Sequence, residues 1–276
     1  MFNEIPIYII NLKKDIVKRK KIQALSDNVG LEVEFIDAVY GKELSEETIS
    51  KVYDPQNAFT NMGRELAMAE IGCALSHKSI YKKMLEENIE MALIMEDDVF
   101  FDKTLIKCLQ NIDKKAPQDW ELILLGHFTG ISRAIPVRPS IWFKQQIVDR
   151  CILRRPCENG YGTHGYLLNL SGAKKLYSLL NKIELPVDHY TGSDKYVNLY
   201  IIENPIITSD SELAAMSSIE EERLDLGNTI LYVPQEGIKA FVKKVIISLG
   251  LYNQWIRVRR AISINLKKIK RFKIYQ

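Results

Sequence analysis

Apolar positions along the chain follow two alternating rhythms. Short runs rich in β-branched and aromatic residues, at 5–10, 33–38, 92–95, 120–126 and 166–170, read as strands. Between them the spacing turns helical. From 14 to 28, Ile16, Val17, Ile22 and Leu25 recur among charges, which predicts an amphipathic helix ended by Gly30. Ser45-Glu46-Glu47 has the capping hydroxyl and early acids of a helix start. Residues 65–87 and 105–112 carry further helical patterns, and Ser171 is the expected cap of a helix over 173–180. Residues 127–160 read as a loop with a hairpin. Strands alternating with helices predict an α/β sheet with both faces covered.

The chain has 276 residues, 46% of them hydrophobic, enough for a substantial core in one enlarged domain or a domain with an appendage. Its net charge of +3 conceals an asymmetry. From Lys239 to Gln276 there are eleven basic residues and no acidic ones, which leaves 27 basic against 35 acidic residues, about −8, for the rest. This splits the chain into a body, 1–237, and a basic tail, 238–276. In the tail Trp255, Val258, Ile262, Leu266 and Ile269 fall on one helical stripe flanked by Arg and Lys. Such a segment suits an anionic membrane surface. It could also coat the acidic body; nucleic acid is not the expected partner, since the body is acidic and carries no nucleic-acid motif. Met1-Phe2-Asn3-Glu4 lacks the features of a secretory signal, and no uncharged apolar run is long enough to span a membrane. The expected location is cytoplasmic. Cys73, Cys108, Cys151 and Cys157 have no CxxC spacing, and four reduced thiols are the expectation.

The most informative stretch is Ala92–Val99, where a strand-like run stops at Glu96-Asp97-Asp98. Three adjacent carboxylates repel one another, so they need either a cation or open water. At the end of an interior strand they would face the crevice where α/β sheets bind ligands, and a divalent ion could bridge them to a diphosphate. Asn11, Leu12 and Arg19 follow the first strand and could meet a nucleotide, although a basic first helix can equally be a solvated face. Gly72 and Ser76 put small residues inside a helix, where ligand approach or close packing would compensate for the glycine. His77 is either an interior histidine or a catalytic group. Gly162-Thr163-His164-Gly165 offers a ligand-facing turn or only a tight one. In Pro186-Val187-Asp188-His189-Tyr190, Asp188 could accept a proton or cap a helix, and His189 could ligate a metal.

In this order the motifs resemble glycosyltransferase family 25, the lipooligosaccharide-biosynthesis galactosyltransferases. The matching stretches are Ile9-Ile10-Asn11-Leu12 with Arg19, Glu70–His77, Ala92–Asp98, Trp120–Gly126, Gly162–Leu167 and Pro186–Tyr190, collinear over about 5–210. One departure is Gly165, often Ala in the family. The resemblance implies a GT-A-like, Rossmann-like nucleotide-sugar fold and inverting transfer from UDP-galactose to a lipooligosaccharide or lipopolysaccharide core, by a β-1,4 linkage. It implies that Glu96-Asp97-Asp98 stands in for the Asp-x-Asp motif of metal-dependent transferases. Asp98 would be the main Mn²⁺ or Mg²⁺ ligand, with Glu96 and Asp97 near the ribose or the metal's water.

For the chemistry, Asp188 is the expected base, with His77 a second catalytic candidate. Thr163, His164 and Tyr190 are expected at the acceptor. A membrane-embedded acceptor would give the basic tail its use at the inner leaflet. The competing readings are a non-catalytic glycan- or nucleotide-sugar-binding module and a metal-dependent phosphohydrolase.

Overall fold

A computed structural model describes residues 5–129, 135–210 and Leu213. The expected tail helix and the division at 237/238 lie outside the described residues. The chain opens with β1 (Ile7–Asn11), α1 (Ile16–Val29) and β2 (Glu34–Asp37). A 3-10 turn at Gly41–Glu43 leads into α2 (Glu46–Val52), α3 (Pro55–Met62) and α4 (Met68–Glu86). Next come β3 (Met91–Glu96), β4 (Val99–Phe101), α5 (Lys103–Lys115), β5 (Leu122–Leu124) and the hairpin of β6 (Pro139–Val148) and β7 (Cys151–Pro156). The described part closes with β8 (Gly165–Asn169), α6 (Leu170–Leu179), α7 (Val187–Thr191), β9 (Leu199–Ile202) and β10 (Ile207–Ser209).

Eight strands form one mixed sheet in the order β2-β1-β3-β8-β5-β9-β7-β6, while β4 pairs with β10 separately. Six strands run the same way, and β8 and β7 are reversed. Side chains alternate across each strand, so the sheet feeds two cores. Tyr8, Ile10, Ile94, Leu122 and Tyr166 join residues of α4, α6 and α7 on one face. Ile7, Ile9, Leu93, Met95 and Ile123 join α1 and α5 on the other. Each fully buried aliphatic of this kind contributes about 1.5–3 kcal/mol, which is why both faces must be covered. The expected α/β architecture with covered faces is the observed one. Among the described residues no helix is long and apolar enough to cross a membrane.

Several local expectations are corrected. In α1 the buried stripe is Lys18, Ile22, Ser26 and Val29, whereas Ile16 and Val17 are exposed. The long helix begins at Met68 rather than 65 because the Glu70 carboxylate accepts from the Ala67 amide (2.9 Å) and grips Arg64. Asn169, not Ser171, caps α6 by accepting from Gly172 N at 2.8 Å. Helix α3 and strands β9 and β10 have no counterpart in the sequence reading. Cys108 on α5 and Cys151 on β7 form a disulfide across 43 positions, so the expectation of four reduced thiols fails. Helix α5 packs beside the β6–β7 hairpin, and that tertiary contact brings the two cysteines together.

Candidate active site

The carboxyl ends of β1, β3 and β5 lie along one edge of the sheet. Strand β8 runs the other way, so it brings its leading residues to that same edge, with Gly165 opposite Met95. Two adjoining cavities open there. The larger, of about 330 Å³, is bordered by Glu70 and Cys73 of α4, Phe128, Thr163, His164 and Asp188 of α7, with β10 along one side. The smaller, of about 110 Å³, lies between the turn after β1 (Leu12, Asp15, Lys18), the segment 38–41 and Ser76. Glu96, Asp98 and Cys73 line both. The result is one cleft with two chambers and a shared acidic floor.

The three carboxylates of that floor have different surroundings. Glu96 accepts the Thr163 hydroxyl, and its Oε1 lies 3.5 Å from His77 Nε2. Burial works to raise its pKa, but the imidazole and the hydroxyl outweigh this and bring it down to about 2. Asp97 is buried and held at both oxygens, by Asn11 Nδ2 at 2.7 Å and by Lys18 Nζ at 3.2 Å. Burial raises its pKa against the pull of Lys18. Asp98 Oδ1 is buried without a hydrogen-bond partner, and burial, reinforced by the charge of Glu96, pushes this carboxyl up to about 7. An unpartnered carboxylate beside an ionised one is costly, and a divalent cation would relieve it. Hard oxygen donors of this kind suit Mg²⁺ or Mn²⁺, so the residues fit the expected metal.

Glycines shape the walls. A Cβ on Gly72 would sit 2.6 Å from Val39 O and 2.7 Å from Gly41 N, so the bare helix face lets the 39–41 segment close over α4. Ser76 secures the same segment by accepting Val39 N at 2.8 Å. Gly165 faces Ile207, whose Cδ1 would lie 2.5 Å from an added Cβ. The small residue at this point accommodates β10.

Of the residues singled out in the sequence, Asn11, Leu12, Ser76, Glu96, Asp97, Asp98, Thr163, His164 and Asp188 converge on this edge. Others do not. Arg19 is exposed and stacks over the Phe35 ring at 4.3 Å, because it lies a helical step away from the buried stripe; Lys18 faces the cleft instead. Gly72 supports the wall but does not line it. His77 is fully buried, with Nδ1 2.7 Å from the Tyr166 hydroxyl, and lines neither chamber. It therefore reaches the cleft only through Glu96. On α7, Asp188 lines the larger chamber. His189 makes a T-shaped ring contact with Tyr161 and lines neither chamber, so it does not stand with the acidic floor as the expected metal ligand. Tyr190 is in the core against Tyr196, its hydroxyl accepting from Glu184 N at 3.3 Å, so it is not at the acceptor position. The sequence pattern points to Arg19 rather than Lys18 in the basic cluster after β1, and it gives Cys73 no role. The Lys18–Ile22–Ser26–Val29 periodicity was the available signal for Lys18.

The sequence model of Glycosyltransferase family 25 (LPS biosynthesis protein) matches residues 4–191. Procollagen galactosyltransferase 1-B of Xenopus laevis is 31% identical over 198 residues, which cover 67% of this chain and 30% of that protein. Procollagen galactosyltransferase 2 of Homo sapiens is 32% identical over 198 residues, 67% of this chain and 29% of that one. A glycosyltransferase 25 family member of Anopheles gambiae is 34% identical over 194 residues, 67% and 30% respectively. The chain thus spans about 30% of the length of these relatives. Among solved structures, the inositol-1-phosphate CTP transferase from T. maritima aligns over 83% of this chain and 99% of that one at 12% identity with a TM-score of 0.41. The family match runs from the first strand through α7 and takes in the whole acidic floor of the cleft: this chain belongs to glycosyltransferase family 25.

Proposed function

We propose that the chain is a metal-dependent, inverting galactosyltransferase of GT-A-like fold, which moves galactose from UDP-galactose to a sugar hydroxyl of a lipooligosaccharide core. The observation that carries this reading is the meeting of two chambers on Glu96 and Asp98. A nucleotide in the smaller chamber would lie along the turn after β1, and an acceptor in the larger one would lie near Asp188. Asp98 would be the main ligand of the Mn²⁺ or Mg²⁺, with Glu96 and Asp97 near the ribose or the metal's water. When bound, that ion offsets the charge gathering on the departing diphosphate.

Inversion requires the acceptor oxygen to attack the anomeric carbon from the side opposite the leaving group. The base and the acidic floor should then be on different walls, as α7 and the end of β3 are. Asp188 Oδ1 is buried with no hydrogen-bond partner, leaving a lone pair for the hydroxyl proton. Glu70 on the same chamber is gripped at both oxygens by Arg64 at 2.7 and 2.8 Å, which disfavours it as a base. As the new C–O bond forms, the proton passes to Asp188 and the electron pair of the breaking bond leaves on UDP. A peripheral seat on the inner face of the cytoplasmic membrane, held by the basic tail, completes the proposal and would bring the enzyme to a lipid-linked acceptor.

Calorimetric titration of UDP-galactose, with Mn²⁺ and then with EDTA, followed by a UDP-release assay with lipooligosaccharide core, tests the reading. Metal-dependent binding with acceptor-dependent release supports it, as would an Asp188→Asn variant that binds donor but does not turn over. Binding without release by the wild type would favour a non-catalytic module. Phosphate release from simple esters would favour a phosphohydrolase.

A further inference from the structure

Cys73 and His77 are four residues apart on α4 and so share one helical face, which packs against the end of β3. Cys73 Sγ, His77 Nε2 and a Glu96 carboxylate oxygen all lie within 4.8 Å of one another. His77 is fully buried, yet its Nε2 has no hydrogen-bond partner; the Glu96 oxygen 3.5 Å away is outside hydrogen-bonding geometry. The other ring nitrogen is engaged. His77 Nδ1 is 2.7 Å from the Tyr166 hydroxyl, which is itself 2.7 Å from the Tyr81 hydroxyl.

With an ion bound, Nδ1–H would donate to Tyr166 and Tyr166 to Tyr81, and Nε2 would turn its lone pair toward Cys73 and Glu96. This is how a metal-binding histidine is oriented from behind. A zinc ion bound at about 2.3 Å from sulfur and about 2.0–2.1 Å from nitrogen and oxygen needs its ligands roughly 3.3–3.6 Å apart. The His77–Glu96 separation already meets that. Cys73 is half-buried and lines both chambers, so an ion has a way in from solvent.

We propose that Cys73, His77 and Glu96 form a binding site for a thiophilic divalent cation of the zinc type, distinct from the hard-cation position at Asp98. A thiolate, a neutral imidazole and a carboxylate together offset the two charges of the ion. Three protein ligands leave one position open toward the cleft. The ion would fix α4 to the end of β3 and hold Glu96 in place. The site stands independently of the transferase reading, since it rests on ligand geometry and not on turnover.

Cobalt(II) is the probe, added to the full-length chain after dialysis against EDTA. The expected result is a near-ultraviolet thiolate-to-cobalt charge-transfer band that saturates at one equivalent, with ligand-field bands of tetrahedral intensity, all reversed by zinc. Cys73→Ser, a near-isosteric change whose fold circular dichroism can check, should abolish the charge-transfer band and weaken zinc binding at least tenfold. Asp98→Asn should leave the band intact. Absence of the band in the wild type, its survival in Cys73→Ser, or its loss in a folded Asp98→Asn protein would each overturn the proposal.

Discussion

The buried imidazole of His127 lines the larger chamber with a fixed hydrogen-bond polarity. Its Nδ1 accepts the Val137 N–H at 3.1 Å, so Nε2 carries the proton and donates to the Ile202 carbonyl at 2.7 Å. Protonating the ring would point a second N–H at the Val137 N–H. Burial, with a smaller push from His164, lowers the pKa from 6.5 to about 4 against the pull of the Ile202 bond. A shift of that size corresponds to about 3 kcal/mol at 1.36 kcal/mol per unit. Between pH 6.5 and about 4 the unfolded chain takes up a proton here that the folded one refuses. Stability from this group is therefore complete above 6.5 and is lost as the pH falls to about 4. Asp98 works in the opposite sense, because its raised pKa adds stability as the pH drops below about 7. The total pH curve mixes the two, and the test is a difference. Urea denaturation of wild type and His127→Gln in EDTA, from pH 4 to 7, should give a stability gap that widens by about 3 kcal/mol toward neutral pH. Glutamine keeps a donor and an acceptor but does not titrate. A gap independent of pH, or one that narrows toward neutrality, would refute the assignment of a neutral, structurally locked His127.

Gly72→Ala sets about 1 kcal/mol of helix propensity against about 1–3 kcal/mol of overpacking onto backbone that cannot rotate aside. The variant should be no more stable than wild type on urea denaturation and should bind UDP-galactose more weakly by calorimetry; a gain of about 1 kcal/mol with unchanged binding would show that the 39–41 contact is slack. Lys18→Met leaves Asp97 buried without its cation, for a loss on the order of 3 kcal/mol in thermal or urea unfolding, whereas Arg19→Met should change stability by less than about 1 kcal/mol. Asp98→Asn should raise the melting temperature in EDTA, since it removes a poorly accommodated carboxylate, and should abolish both Mn²⁺-dependent stabilisation and transfer.

The parts of the site that the sequence made legible are those written as local contrast. An apolar strand ending in Glu96-Asp97-Asp98 needs no knowledge of the fold to be noticed, and the parallel order of β1 and β3 then brings Asn11 beside Asp97. What stayed hidden depends on rotation about a helix axis. Lys18 and Arg19 differ by one step on α1, as do Asp188 and His189 on α7, and the face each helix turns to the sheet is decided by packing across the whole core. Ile16 and Val17 look like core residues in sequence yet are exposed, while the polar Lys18 and Ser26 are buried because each finds a partner, Asp97 for the first and Ile22 O for the second. The Cys108–Cys151 pair has no local signature either, since only the docking of α5 against the hairpin brings the two together.

The reversed direction of β8 has a consequence for how such a cleft can be altered. Its leading loop, with Thr163 and His164, opens on the cleft, and its trailing end at Asn169 turns away to cap α6. The stretch between β7 and β8 is tied down by the mutual backbone bonds of Phe128 and Tyr161 and by Gly160 N to Gly192 O. From there it delivers Thr163 to Glu96, while the Met91–Asn169 to Met95–Gly165 register anchors the sheet centre. Changes in that loop would redecorate the larger chamber directly and reach the smaller one through Glu96, which Thr163 and the His164 carbonyl both hold.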